Sequence, residues 1–112
     1  MPNNFVFRNN ILYKDREYFF SFSSNIDKIL SLENSVVVLL VYSAAVGNQN
    51  IFCFDCQKNQ IWQILKPTEL HSDNYFSAVY LRGNELYAYN INGTEYHLDK
   101  ETGDILDTEM IK

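Results

Sequence analysis

The chain has 112 residues, 46% of them hydrophobic and 15% aromatic, with four glycines, two prolines and a net charge of −5. So much apolar surface in one short chain builds a single core, read as one domain over 1–112, and excludes the disordered, collagen-like and Pro-rich linker classes. With no basic excess, nucleic acid and acidic membrane surfaces are excluded as partners.

The opening, "MPNNFVFRNN", lacks the basic start and apolar run of a secretory signal, and two lone cysteines do not staple a secreted scaffold, so a soluble, cytoplasmic protein is expected. Strands are predicted at 4–8, 11–14 and 17–22, joined by tight polar turns. Next, "SSNIDKILSLEN" places Ile26, Ile29 and Leu30 on one helical face, with Ser24 and Asp27 spaced as a capping box, which predicts one short helix. The run from Val36 to Val46 is about half the ~20 residues of a membrane span, and its valines suit a buried strand. Strands over 35–43, 51–55 and 60–65 form a middle sheet, and 66–74 reads as a polar loop.

The last third reads as a four-stranded antiparallel meander over 75–81, 85–91, 94–99 and 104–110. Its connections carry turn chemistry: "RGN", Asn92-Gly93 read as a type I′ turn, and "DKETG". Strands such as 36–42 and 85–91 are apolar on both faces, so the sheets are expected to be covered on both sides.

Two stretches repeat. "FDCQKNQIWQI" (54–64) aligns with "LDKETGDILDT" (98–108), pairing Asp55 with Asp99, Asn59 with Gly103 and Cys56 with Lys100, and "FRNNILYKD" (7–15) echoes "LRGNELYAY" (81–89). Repetition of this kind marks stacked β-sheets. The element of strand, Asp, turn and strand resembles the blade end of β-propellers of the pyrroloquinoline-quinone and WD-repeat types. The resemblance implies an all-β fold of antiparallel meander sheets with one short helix, an open partial β-propeller, with a β-sandwich as the alternative. A closed propeller needs at least four blades, so completion of a ring by a second copy, a homo-oligomer, is a further expectation.

Chemistry-bearing residues are sparse. Cys53 and Cys56 form a C-x-x-C pair that would open a zinc or redox site, but no second ligand pair follows and a strand, not a helix N-terminus, runs through them. His71, Ser72 and Asp73 are adjacent, and adjacent residues do not assemble a hydrolytic triad. In "DKETGD" glycine falls at the fifth position where a calcium loop needs it at the sixth. No catalytic residue, metal or cofactor is expected.

Charge is the most informative feature. Residues 1–84 are neutral overall, and the net −5 sits in 85–112, where Glu85, Glu95, Asp99, Glu101, Asp104, Asp107 and Glu109 face only Lys100 and Lys112. Such a local acidic face steers basic partners. These seven carboxylates, with Tyr87, Tyr89 and Tyr96 as aromatic anchors, are the expected partner-binding residues. Small, acidic, one-domain proteins of this make-up are similar to bacterial immunity proteins of contact-dependent growth inhibition. That resemblance implies a non-enzymatic inhibitor of a basic toxin, a nuclease being the expected kind. A self-associating structural module is the second reading, and a small zinc or redox protein using Cys53 and Cys56 is the third.

Overall fold

The structure, a computed structural model, describes residues 4–65 and 74–111. It is all-β, built as three antiparallel meanders in chain order. The first sheet holds β1 (Phe5–Arg8), β2 (Ile11–Lys14) and β3 (Glu17–Ser21). The middle sheet holds β4 (Ile26–Ser31), β5 (Ser35–Leu40), β6 (Ile51–Asp55) and β7 (Gln60–Gln63). The third holds β8 (Phe76–Arg82), β9 (Glu85–Asn90), β10 (Thr94–Leu98) and β11 (Ile105–Met110). Among the described residues no helix is long and apolar enough to cross a membrane. The polar loop expected at 66–74 lies, apart from Asn74, outside the described residues.

The sheets stack as three layers. Alternate side chains of a strand point to opposite faces, so the unbroken apolar run of β5 serves two cores at once. Val36, Val38 and Leu40, with Phe54, pack against Phe5, Leu12 and Phe19 of the first sheet. Val37 and Leu39, with Ile51, Cys53 and Trp62, pack against Phe76, Val79, Leu86, Ala88, Tyr96 and Leu98 of the third. A two-layer sandwich leaves each sheet one wet face; here the middle sheet has none.

The expected helix is absent, and its residues form β4. Ile29 joins the core shared with the first sheet while Leu30 joins the core shared with the third, an alternation a helix cannot provide. A short isolated helix is marginal in water, whereas β4 completes the middle sheet by pairing along β5. Ser24 caps no helix; its hydroxyl donates to the Val41 carbonyl at 2.6 Å.

The repeat of the middle sheet in the third is real but shifted by one residue. Asp55 N–H donates to Asn59 O and Lys58 N–H to Asp55 O, and the counterparts are Asp99 N–H to Asp104 O and Gly103 N–H to Asp99 O. Lys58 (φ 74°) therefore matches Gly103 (φ 75°), and Asn59 matches Asp104, not Gly103. Asp55 and Asp99 each accept two turn amides through Oδ1, which closes both turns. The echo between 7–15 and 81–89 is one of hairpins only. Leu12 and Leu86 both face the middle sheet, from opposite sides, so the rotation relating the second sheet to the third does not relate the first to the second. The Asn92-Gly93 connection is not type I′: only Gly93 has positive φ, at 93°, and its N–H closes a three-residue loop onto Asn90 O at 2.9 Å.

Two devices lock the third sheet to the middle one. Fully buried Asn50 donates from Nδ2 to Leu40 O and Phe76 O, each at 2.8 Å, and accepts the Phe76 N–H on Oδ1 at 3.0 Å. Trp62 donates from Nε1 to Lys100 O at 2.9 Å and lies flat against Gly103. A Cβ on Gly103 would come within 2.5 Å of the Trp62 ring, whereas one on Gly83, also at positive φ, would meet nothing within 4 Å. Gly103→Ala therefore costs more than Gly83→Ala, about 2 kcal/mol or more against about 1. Asn50→Ala, which strands three buried backbone groups, costs on the order of 3 kcal/mol. Urea midpoints of the three variants check the order.

Candidate functional site: the outer face of the third sheet

The face that the middle sheet turns toward the third is apolar and covered. The corresponding face of the third sheet is open, and the chain has filled it with different residues. Two positions before each turn aspartate, the row Val37, Cys53, Trp62 in the middle sheet becomes Tyr87, His97, Asp107 in the third. Register extends that second row to Tyr80 and places Tyr89, Glu95 and Glu109 in the row beside it.

The aromatic row is stacked. Tyr80 and Tyr87 rings lie 6.1 Å apart and nearly parallel, and Tyr87 and His97 rings 4.7 Å apart at 16°. The Arg82 guanidinium sits 4.0 Å above the Tyr87 ring, within cation–π range. From there it reaches Glu95, with Nη2 to Oε1 at 3.0 Å and Nη1 to Oε2 at 3.3 Å. The Tyr80 hydroxyl donates to the same carboxylate. Glu95 is only 5% exposed, so its charge is tolerated because both oxygens are engaged. The Arg82 guanidinium holds the Glu95 carboxyl below the ordinary carboxylate range, with Tyr80 helping, and burial and then Glu95 push the Tyr80 hydroxyl up to about 12. Across the row, His97 Nε2 lies 2.7 Å from Glu85 Oε1. Arg82, Tyr87, Glu95, His97, Asp107 and Glu109 line a shallow cavity of about 110 Å³.

The expected partner-binding residues are thus separated into four settings. Glu85, Asp107 and Glu109, with half-buried Tyr87 and Tyr89, share this face. Glu95 shares it too, but as the internal counter-ion of Arg82. Asp99 is consumed by its own turn, beside exposed Glu101 and Asp104. Tyr96 is no anchor: it is 6% exposed, on the opposite face, with its ring edge-on to Phe76 at 5.3 Å. Tyr80, Arg82 and His97 complete this face and are not among the partner-binding residues expected from the sequence, where His97 stands only as an imidazole without a second metal ligand. Their period-2 spacing opposite Tyr87 and Glu85 was the available signal, and it acquires meaning only with the register.

The thiols are held apart from such chemistry. Cys53 is fully buried between the middle and third sheets, and burial pushes its thiol up to about 11, which suppresses the thiolate that metal binding or disulfide exchange requires. Cys56 stands in the turn, its Sγ 3.6 Å from Asn34 O. Neither cysteine is in a disulfide, and among the described residues no group of three His, Cys, Asp or Glu side chains is placed to hold a metal ion. His71, Ser72 and Asp73 lie outside the described residues.

Native protein should therefore react with a thiol reagent at Cys56 alone, and at Cys53 only after unfolding; a time course with and without denaturant counts the two. The Glu95 network predicts an acid limb of stability. Because the folded carboxyl titrates below its ordinary value of 4.5, its contribution is complete above that pH and is lost as pH falls through the folded value. Asp55, held low by its Asn59 turn amide, adds to the same limb. Urea midpoints against pH should fall less steeply on that limb for Glu95→Gln than for the native chain.

No curated protein matches the chain. Among solved structures it is similar to the computationally designed Ika8 protein, with a TM-score of 0.62 over 96% of this chain at 14% identity, a likeness of fold alone. The chain spans only 36% of that designed protein's length. Over residues 3–110 the sequence matches the family described as "Domain of unknown function (DUF7957)", and the chain belongs to that family.

Proposed function

We propose that this chain is a non-enzymatic binding protein that captures a basic protein on the outer face of its third sheet, as an immunity-type inhibitor neutralising a basic toxin such as a nuclease. The supporting observation is the exchange of residues on that face. Where the middle sheet carries Val37, Ile51, Cys53 and Trp62, the third carries Tyr87, Glu95, His97 and Asp107. A further sheet stacked here would bury Arg82 and several carboxylates, at a cost of several kcal/mol per uncompensated charge. A hydrated partner rich in Lys and Arg meets no such penalty, because Asp107 and Glu109 remain at the surface to pair with it, and exposed Glu85, which meets His97 through Oε1, keeps its second oxygen for the same purpose. Tyr87 and Tyr89 supply flat apolar contact among the charges.

The experiment is recovery of the partner from the native host on tagged protein at low salt, released at high salt. A basic protein should be retained by the native chain and lost by the triple variant Glu85→Lys, Asp107→Lys, Glu109→Lys. Its association rate should fall at least tenfold between low and high salt while dissociation changes little. Equal retention by the triple variant overturns the reading.

Self-association remains the second reading because β11, an edge strand, exposes Leu106 by 55% and Met110 by 58%. Sedimentation equilibrium separates the two: a concentration-dependent dimer abolished by Leu106→Lys supports self-association, and a monomer at all concentrations removes it.

A further inference from the structure

The opposite end of the strands carries a second feature that the acidic face does not explain. β5 begins at Ser35, paired across the sheet with Asp55, and ends at Leu40, and β8 begins at Phe76, tied to Leu40 through Asn50. Between them lies a cavity of about 330 Å³, lined by Asp27, Leu40, Val41, Tyr42, Tyr75 and Phe76, with Ser77 at its edge. Its volume is in the range of small-ligand sites.

Two β-bulges shape it. The register slips between Ile26 and Lys28 in β4 and between Phe76 and Ala78 in β8, at corresponding places in adjacent sheets. The extra residues are Asp27 and Ser77, and both line the cavity. Bulges re-aim side chains that would otherwise follow the pleat, which is why they recur beside binding sites. One wall is aromatic: the Tyr42 and Tyr75 rings stack face to face 4.5 Å apart at 16°, which leaves the outer face of a ring to meet a further planar group, and Leu40 and Phe76 line the same cavity. Asp27 is exposed, and among the described residues its carboxylate has no hydrogen-bond or ion-pair partner.

A lone carboxylate beside a flat aromatic wall and an apolar floor is chemically complementary to one kind of group. We infer that this cavity is a binding site for a guanidinium group, which stacks on the tyrosine pair and donates two parallel hydrogen bonds to Asp27. A planar, weakly hydrated cation gains from stacking and from a bidentate carboxylate together, while a compact ammonium uses neither the flatness of the wall nor the fork of the acid. The Ser77 hydroxyl can take a further guanidinium N–H. The site is independent of the acidic face, and the guanidinium is carried either by a small molecule or by an arginine of a bound protein.

The test is an NMR titration of the native chain with N-acetyl-arginine methylamide, methylguanidine and the citrulline analogue of the first. Saturable shifts at the amides of Asp27, Val41, Tyr42, Tyr75 and Ser77 are expected with the guanidinium probes. The citrulline analogue should bind at least tenfold more weakly, as should the arginine probe to Asp27→Asn or Tyr42→Leu. Asp27 is exposed and, among the described residues, its carboxylate bonds to no other group, so its variant is expected to keep the fold, which the dispersion of the same NMR spectra checks. Tighter binding of the arginine probe than of methylguanidine supports a protein-borne side chain; binding of methylguanidine alone supports a small-molecule ligand. Absence of saturable shifts with both, or unchanged affinity in Asp27→Asn, overturns the inference.

Discussion

Burial of the middle sheet on both faces is the constraint on which the molecule depends. β5 can be apolar at every position from Val36 to Leu40 only because two other sheets cover it. The first sheet brings three strands and a cluster of phenylalanines, Phe5, Phe19, Phe20 and Phe22, against Phe52 and Phe54. The third brings Phe76, Leu86, Tyr96 and Leu98. Local polar locks then set the stacking. Asn50 couples the β5–β6 connection to the first residue of β8, and Trp62 couples β7 to the next turn through Lys100 O and the bare surface of Gly103. Each lock is one side chain that ties the middle sheet to the third, its immediate neighbour.

The outer face of the third sheet, uncovered among the described residues, differs chemically from the faces that are covered. Its outer residues satisfy one another within the sheet: Arg82 covers Tyr87 and neutralises Glu95, Tyr80 completes the Glu95 hydrogen bonding, and Glu85 meets His97. The result is a face that is ordered without a covering layer, because cross-strand pairs replace interlayer contacts. The same exchange of residues leaves carboxylates and tyrosine rings side by side on that face.

Several readings of the sequence rested on local pattern where the decisive information was remote. Ile26, Ile29 and Leu30 have a helical spacing, yet Ile29 and Leu30 feed different cores, and nothing within 24–33 announces that two cores exist. Tyr96 and Tyr87 are equivalent as residue types; one is core and the other surface because β10 and β9 place them on opposite faces. Asp55 and Asp99 were legible as turn residues, since Asx-turn chemistry is local, while the one-residue difference in turn length emerged only from the hydrogen bonds. The Asn92-Gly93 dipeptide showed that a turn was present but not its type, which depends on where positive φ falls.

What the amino-acid sequence determined by itself was the position of ten of the eleven strands to within a few residues at their ends, the repeat carried by the two aspartate turns, and the confinement of net charge to the last 28 residues. These are properties of neighbouring residues, set by pleat, turn and composition. The tertiary structure alone decided that the middle sheet is covered twice, that the seven acids are divided between a face, a turn and an internal ion pair, and that Asp27 and the stacked tyrosines meet at a bulged cavity. Each of those depends on which layer lies against which, and layer order is a matter of interlayer packing that no local window contains.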